Sequence, residues 1–280
     1  MRLCTLEPDV ETYNAAITAG QRNDRWQEAL GVFSTMRTRR LEPNVISFNA
    51  AMCACGKGTL WQDAVGMFAD MQLRRVEPLP STYRTMVAAC ARRQAALSMF
   101  SHMTLHGLEP DVTDYNTAMS ACGSQKLWHD ALGLFADMEA HGLESDVITY
   151  NILITSCDRG SRQQQALDVF SDMHSRRVSP DRVSFNAAIC ACSAIARWDI
   201  ALGLLWDMRL RSVGADDATC TAAITACAQG ARWHQALSLL ADVSWRNLEP
   251  SLIAYNAALS ACEKGAQWQR ALGTLAHMWM

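Results

Sequence analysis

The sequence predicts an all-α fold, a right-handed superhelical solenoid of about eight antiparallel two-helix repeats of 35 residues, and three features predict it. First, an aromatic-Asn pair recurs at Tyr13-Asn14, Phe48-Asn49, Tyr115-Asn116, Tyr150-Asn151, Phe185-Asn186 and Tyr255-Asn256. Asn14 and Asn49 stand 35 residues apart, as do Asn116, Asn151 and Asn186, while Asn186 and Asn256 are 70 apart with Thr221 midway. Second, a pattern of Trp, Ala-Leu, Phe and Met, with some substitutions, follows these pairs at helical spacing. Third, a proline closes most repeats. A fixed period of this length marks stacked supersecondary units, none of which can bury its apolar faces alone.

The period divides the chain into repeats at 10–44, 45–79, 80–111, 112–146, 147–181, 182–216, 217–251 and a truncated 252–280, after the tail of a preceding repeat at 1–9. Within each, the first helix is expected to open near a hydroxyl cap such as Thr12, Ser47, Thr82, Thr149 or Ser184. Its apolar residues recur at i, i+4 and i+7, as in Tyr150, Ile154 and Cys157, giving one stripe for a neighbour. A glycine column, Gly58, Gly160, Gly230 and Gly265, is expected to take the left-handed conformation that ends a helix. The second helix carries Trp61, Ala64-Val65, Phe68 and Met71, or Trp128, Ala131-Leu132, Phe135 and Met138, again a core pattern. It stops before Pro43, Pro78, Pro110, Pro180 or Pro250, because proline lacks an amide proton and biases its predecessor away from helix. Ser145 and Ala215 replace that proline in two repeats, and repeat 80–111 lacks three residues around its turn. An array that starts and ends mid-repeat is expected to be a piece of a longer one.

A net charge of −3 and a pI near 6.2 provide no global field to hold a polyanion. No run of about 18 apolar residues could span a membrane, and the first residues, with Glu7, Asp9 and Glu11, do not read as a targeting segment. Seven of the eleven cysteines, Cys55, Cys90, Cys122, Cys157, Cys192, Cys227 and Cys262, share one column and read as packing residues in a reducing compartment. In Cys53-Ala-Cys55 and Cys190-Ala-Cys192 the two thiols point to different helix faces and no second cluster completes four ligands, so no metal is expected. Trp26, Trp61, Trp128, Trp198, Trp233 and Trp268 also share a column and read as helix packing. Histidines are scattered, including His102, His129, His174 and His234, and form no catalytic pattern. The arginine pairs at 39–40, 74–75 and 176–177 suit the negative end of the second helix. Nothing implies a cofactor or an enzyme.

Two polar columns have no evident packing reason. The residue after the aromatic is Asn14, Asn49, Arg84, Asn116, Asn151, Asn186, Thr221 or Asn256, and asparagine is a poor helix former. The residue closing each repeat is Asn44, Leu79, Asp111, Asp146, Asp181, Asp216 or Ser251. A purely structural reading remains open, since Asn can start a helix and Asp can cap the next one.

The 35-residue period, the Val147-Ile148-Thr149-Tyr150-Asn151 opening, the Ala-Leu-x-x-Phe-x-x-Met of the second helix and the Pro180-Asp181 close together resemble the pentatricopeptide repeat family over essentially the whole chain. That resemblance implies sequence-selective binding of single-stranded RNA, one base per repeat. It also implies a role in stabilising, processing or translating transcripts of a mitochondrion or plastid. By it, Asn14, Asn49, Asn116, Asn151, Asn186, Thr221 and Asn256 would touch the base, and Asn44, Asp146, Asp181 and Asp216 would tune it. The pairs Asn116/Asp146, Asn151/Asp181 and Asn186/Asp216 would prefer uracil, giving a UUU core over repeats 112–216, and Asn14/Asn44 a pyrimidine. Ile46, Ile148, Val183 and Ile253 match the family's base-sandwiching place, whereas Glu11 and Ser81 do not. Arg22, Lys57, Arg92, Arg159 and Lys264 match its phosphate path. Arg84 departs from the pattern, so its repeat would bind backbone or nothing. The chain is expected to act as a monomer and away from membranes. The alternative is a scaffold for a protein or peptide partner, although the Trp-x-x-Leu-Gly signature of peptide-binding tetratricopeptide arrays is missing.

Overall fold

The computed structural model describes residues 8–58, 60–90, 95–245 and 250–278, and among these it contains sixteen α-helices and no strand. The chain forms two compact units, Met1–Glu144 and Ser145–Met280. The first holds α1 (Val10–Arg22), α2 (Trp26–Thr38), α3 (Val45–Lys57), α4 (Trp61–Leu73), α5 (Pro80–Ala89), α6 (Ala95–Leu105), α7 (Val112–Ser124) and α8 (Trp128–Ala140). The second holds α9 (Val147–Arg159), α10 (Gln163–Ser175), α11 (Arg182–Ala194), α12 (Trp198–Leu210), α13 (Asp217–Gln229), α14 (Trp233–Trp245), α15 (Leu252–Lys264) and α16 (Trp268–Met278). In each unit the odd-numbered helices stack on one another; α2, α4, α6, α10, α12 and α14 each pack on the helices before and after them, and α8 and α16 on the helix before. A hairpin therefore buries two faces only by lending one to its successor.

The core lies along these seams. Tyr150, Ile154 and Cys157 are fully buried, as are Phe48, Met52 and Cys55 in the first unit. The phenylalanine of one second helix meets the aromatic of the next first helix edge to face or tilted, with centroids 5.0–5.5 Å apart: Phe33–Phe48, Phe68–Tyr83, Phe100–Tyr115 and Phe170–Phe185. Such pairs add roughly 0.5–1.5 kcal/mol each beyond area burial. The seven-cysteine column is buried throughout, and burial pushes the Cys55, Cys122, Cys157 and Cys227 thiols up to about 11 and Cys192 up to about 12. At neutral pH these thiols are protonated packing groups.

Two expectations about helix ends need correction. The N-caps are not Thr12, Ser47, Thr149 and Ser184 but the residues three earlier, Asp9, Asn44, Asp146 and Asp181, each accepting the N–H of that hydroxyl residue. Ser47, Thr149 and Ser184 are instead fully buried third-position partners in capping boxes, while Thr82, equally buried, only accepts the Leu79 N–H at 3.2 Å, because Leu79 has no cap side chain. Gly58, Gly160, Gly230 and Gly265 are not left-handed; their φ values run from −77° to −86°. After Gly160, Gly230 and Gly265 the next residue, Ser161, Ala231 or Ala266, is the left-handed one, and the residue after that donates its N–H to the carbonyl of the cysteine column, as Arg162 does to Cys157 at 2.9 Å. At Gly58, Gly230 and Gly265 the constraint is space. A Cβ on Gly58 would lie 2.8 Å from the indole of Trp26, and one on Gly230 or Gly265 would collide with Trp198 or Trp233. Trp26, Trp198 and Trp233 thus seat on the next hairpin's turn.

Second helices end in the same motif, with Arg40, Arg75, Gly107, Gly142, Arg177 and Ser212 left-handed. The first arginines of two of the pairs close ion pairs with a carboxylate one turn back, Arg74–Asp70 at 3.1 Å and Arg176–Asp172 at 2.9 Å.

Candidate functional site

The buried aromatics Tyr13, Tyr150 and Phe185 turn into the seam, so the residue after each emerges at the seam's edge, and the following repeat ties it down. Asn151 Oδ1 accepts a hydrogen bond from Ser184 Oγ at 2.6 Å, and its Nδ2 donates to Asp181 Oδ1 at 3.1 Å. Asn14 repeats this with Ser47 at 2.6 Å and Asn44 at 3.2 Å. Asn186 accepts from Thr219 Oγ1 and donates to Asp216 Oδ2 at 3.4 Å. Because the carboxylate can only accept, it must face the Nδ2 side, which settles the amide's orientation. Each held amide then keeps one N–H and one oxygen lone pair.

The carboxylates are themselves held ionised. Burial opposes the charge on Asp181, but hydrogen bonds from the Ser184 backbone and hydroxyl and from Asn151 outweigh it and keep its carboxyl below the usual range. Asp216 is lowered against the same penalty by Thr219 and Asn186, with Arg182 adding a favourable charge. The repeat-closing residue therefore has two roles, capping the next helix and orienting the preceding amide. The hydroxyls of Ser47, Ser184 and Thr219 hold the amides, a contact that the sequence reading of Ser47 and Ser184 as caps did not include and that it did not assign to Thr219. Their signal was the hydroxyl column running 33 residues after the amide.

Other positions vary this arrangement. Asn151 and Asn186 are half-buried and Asn256 is exposed, whereas Asn14 and Asn116 are only 8% exposed. Asn116 belongs to the first unit and Asp146, the cap of α9, to the second. Thr221 and Ser251 bring two hydroxyls within 3.2 Å. Opposite Asn49 stands Leu79, which has no acceptor; Asn49 Nδ2 turns to Ser81 Oγ at 3.4 Å and its buried Oδ1 lacks a partner. In repeat 80–111, Arg84 Nε donates to Asp114 Oδ1 at 2.9 Å and Nη2 to Asp111 Oδ2 at 3.0 Å. Asp114 occupies the hydroxyl column, so both members of the pair change together.

One turn before each amide, Ile46, Ile148, Val183 and Ile253 are 60%, 59%, 53% and 67% exposed. Branched apolar side chains this open serve no core, and they share a helix face with the amides at i, i+3. In the last turn, Lys57 Nζ reaches Asp24 at 2.6 Å and the Gln21 carbonyl at 2.7 Å, and Lys264 Nζ reaches Gln229 at 3.1 Å. Arg22 and Arg159 are exposed; Arg92 lies outside the described residues. A cleft of about 340 Å³ opens between α3 and α5, lined by Cys53, Lys57, Arg84, Thr85 and Ala88 among others. Among the described residues, no group of three His, Cys, Asp or Glu could hold a metal ion, and no helix is long and apolar enough to cross a membrane.

These features define a helical-hairpin repeat protein, an α-solenoid fold with a periodic polar and aliphatic face. The chain belongs to the pentatricopeptide repeat family. Models of the pentatricopeptide repeat domain match residues 2–58 and 65–125, the PPR repeat 46–76, the PPR repeat family 110–159, and the pentacotripeptide-repeat region of PRORP 148–280. The pentatricopeptide repeat protein PPR10 from maize has a similar fold, with a TM-score of 0.68 at 18% identity over 99% of this chain and 44% of that one. PPR10 in complex with an 18-nt psaJ RNA element aligns at 0.60, also at 18% identity, over 98% and 45%. The PPR domain of Arabidopsis thaliana protein-only RNase P 1 in complex with tRNA aligns at 0.50 and 12% identity, over 60% of this chain and 90% of that one. The chain thus spans less than half the length of PPR10. No curated protein matches it in sequence.

Proposed function

We propose that this protein binds single-stranded RNA sequence-selectively, one base per repeat, and acts without catalysis by shielding or holding open a segment of an organellar transcript. The observation that carries this reading is the oriented amide: one donor and one acceptor left free on Asn151 and on Asn186, beside an exposed aliphatic residue. Uracil presents an N3 proton next to carbonyl oxygens, so the free oxygen takes that proton while the free N–H serves a carbonyl. The aliphatic residues of successive repeats, such as Ile148 and Val183, supply faces against which a base lies flat. Arg22, Lys57, Arg159 and Lys264 provide local positive charge for phosphates although the chain is acidic overall. Asn116/Asp146, Asn151/Asp181 and Asn186/Asp216 then select three uracils, and Asn14/Asn44 a pyrimidine. That solved relatives of this fold are bound to an RNA element and to tRNA supports the ligand class.

A gel-shift titration at several salt concentrations, comparing an RNA with a UUU core against the same RNA with GGG, tests the proposal. Preference for UUU by about tenfold or more is expected, since a good bidentate contact is worth roughly 1–3 kcal/mol. Equal weak retention of both RNAs overturns base reading and leaves a protein-binding scaffold as the better account. A fluorescent fusion of the full-length gene product tests the organellar assignment.

A further inference from the structure

We infer that repeat 80–111 holds a nucleotide without reading its base, because a charge pair has replaced the amide device there; the inference rests on the base-reading proposal above. Arg84 stands where Asn151 and Asn186 stand, and Asp114 stands where Ser184 and Thr219 stand. The guanidinium spends Nε on Asp114 and Nη2 on Asp111, at 2.9 and 3.0 Å. Asp114 is 3% exposed and also accepts the backbone N–H of Asp111 at 3.0 Å, so it anchors the arginine from within the seam. Hydrogen bonding to Asp114, against a burial penalty, pushes Arg84 further up and keeps it charged.

What remains is a donor-only group. Nη1 can give protons but nothing on Arg84 can accept one, so the residue in the amide's place cannot take the N3 proton of uracil or the N1 proton of guanine. Every base displays acceptors, and every nucleotide a phosphate, so a guanidinium edge serves them all. The space agrees with this. Arg84 and Lys57 line the cleft of about 340 Å³ between α3 and α5, whose remaining wall includes the small Thr85, Ala88 and Ala89. That volume admits a purine as readily as a pyrimidine. The repeat before it reinforces the gap, since Asn49 faces Leu79 and its side-chain carbonyl makes no hydrogen bond.

The test uses the full chain and short labelled RNAs carrying a UUU core with one variable nucleotide on each side, read by fluorescence anisotropy at fixed salt. At one flank the wild-type protein should bind A, C, G and U within about twofold, while U→G inside the core should cost about tenfold or more. The double variant Arg84→Asn with Asp114→Thr restores the amide, carboxylate and hydroxyl set and should gain a uracil preference of about tenfold at that flank alone. Its thermal midpoint, compared with wild type by circular dichroism, verifies that it folds. Wild-type discrimination at both flanks overturns the inference. So does a folded double variant that remains indifferent at both flanks while the core still discriminates. Indifference everywhere, the core included, overturns base reading itself and this inference with it.

Discussion

Repeats 147–181 and 80–111 hold the same place in their hairpins with different chemistry. In the first, a neutral amide sits between a carboxylate and a hydroxyl, each bond modest and each partner replaceable. In the second, a cation bridges two carboxylates, one of them buried. The two solutions are comparable as seam fillers and unlike as ligand edges. An amide keeps a donor and an acceptor for an outside partner; a guanidinium keeps donors only. Removing one partner should also hurt the two repeats unequally, because an orphaned buried charge costs more than an orphaned neutral group.

The largest effect expected is therefore at Arg84. Arg84→Ala should destabilise the protein by about 3–5 kcal/mol in urea unfolding at neutral pH, and adding Asp114→Thr should recover most of it. Asn151→Ala should cost only about 1 kcal/mol, because Asp181 still caps α11. Equal losses for Arg84→Ala and Asn151→Ala would mean that the ion pair is solvated and the contrast between the repeats is not energetic.

Turn glycines sharpen the comparison at the next level down. Gly58→Ala should cost about 1–3 kcal/mol by driving a methyl into Trp26, whereas Gly133→Ala, with nothing within 4 Å, should stabilise α8 by about 0.5–1 kcal/mol. Thermal unfolding of both variants checks the opposite signs. Arg75→Gly should stabilise by a similar small amount, since Arg75 is left-handed at φ 57° where Gly107 and Gly142 stand in other repeats.

The smallest change expected is with pH. Asp181 and Asp216 have native carboxyls below their unfolded value near 4. Their stabilisation is thus fully present above that value and lost as pH falls through the lower native ones. Stability contributed by these residues should stay level from about pH 7 to pH 5 and decline below about 4. Asp181→Asn should reduce the acid-side slope, measured by unfolding midpoints across that range.

Much of the molecule was legible in one dimension. The period, the apolar stripes and the proline stops are local or repeated signals, and each hairpin meets the same neighbour, so repetition stands in for long-range information. The buried cysteine column could be read in the same way. The misreadings came where two repeats meet. Ser184 looks like a cap from its own helix and becomes an amide clamp only when Asn151 of the preceding hairpin arrives beside it. Gly58 looks like a conformational stop until Trp26 of the preceding repeat is laid over it.

By itself the sequence determined the helices, their pairing and the columns in which polar residues recur, because those follow from periodicity and backbone preference. Only the tertiary structure decided which polar groups satisfy each other and which keep a free edge, because hydrogen bonds spanning about thirty residues depend on how hairpins stack. That is why Arg84 and Asp114, two separate departures in the sequence, become a single device in the fold.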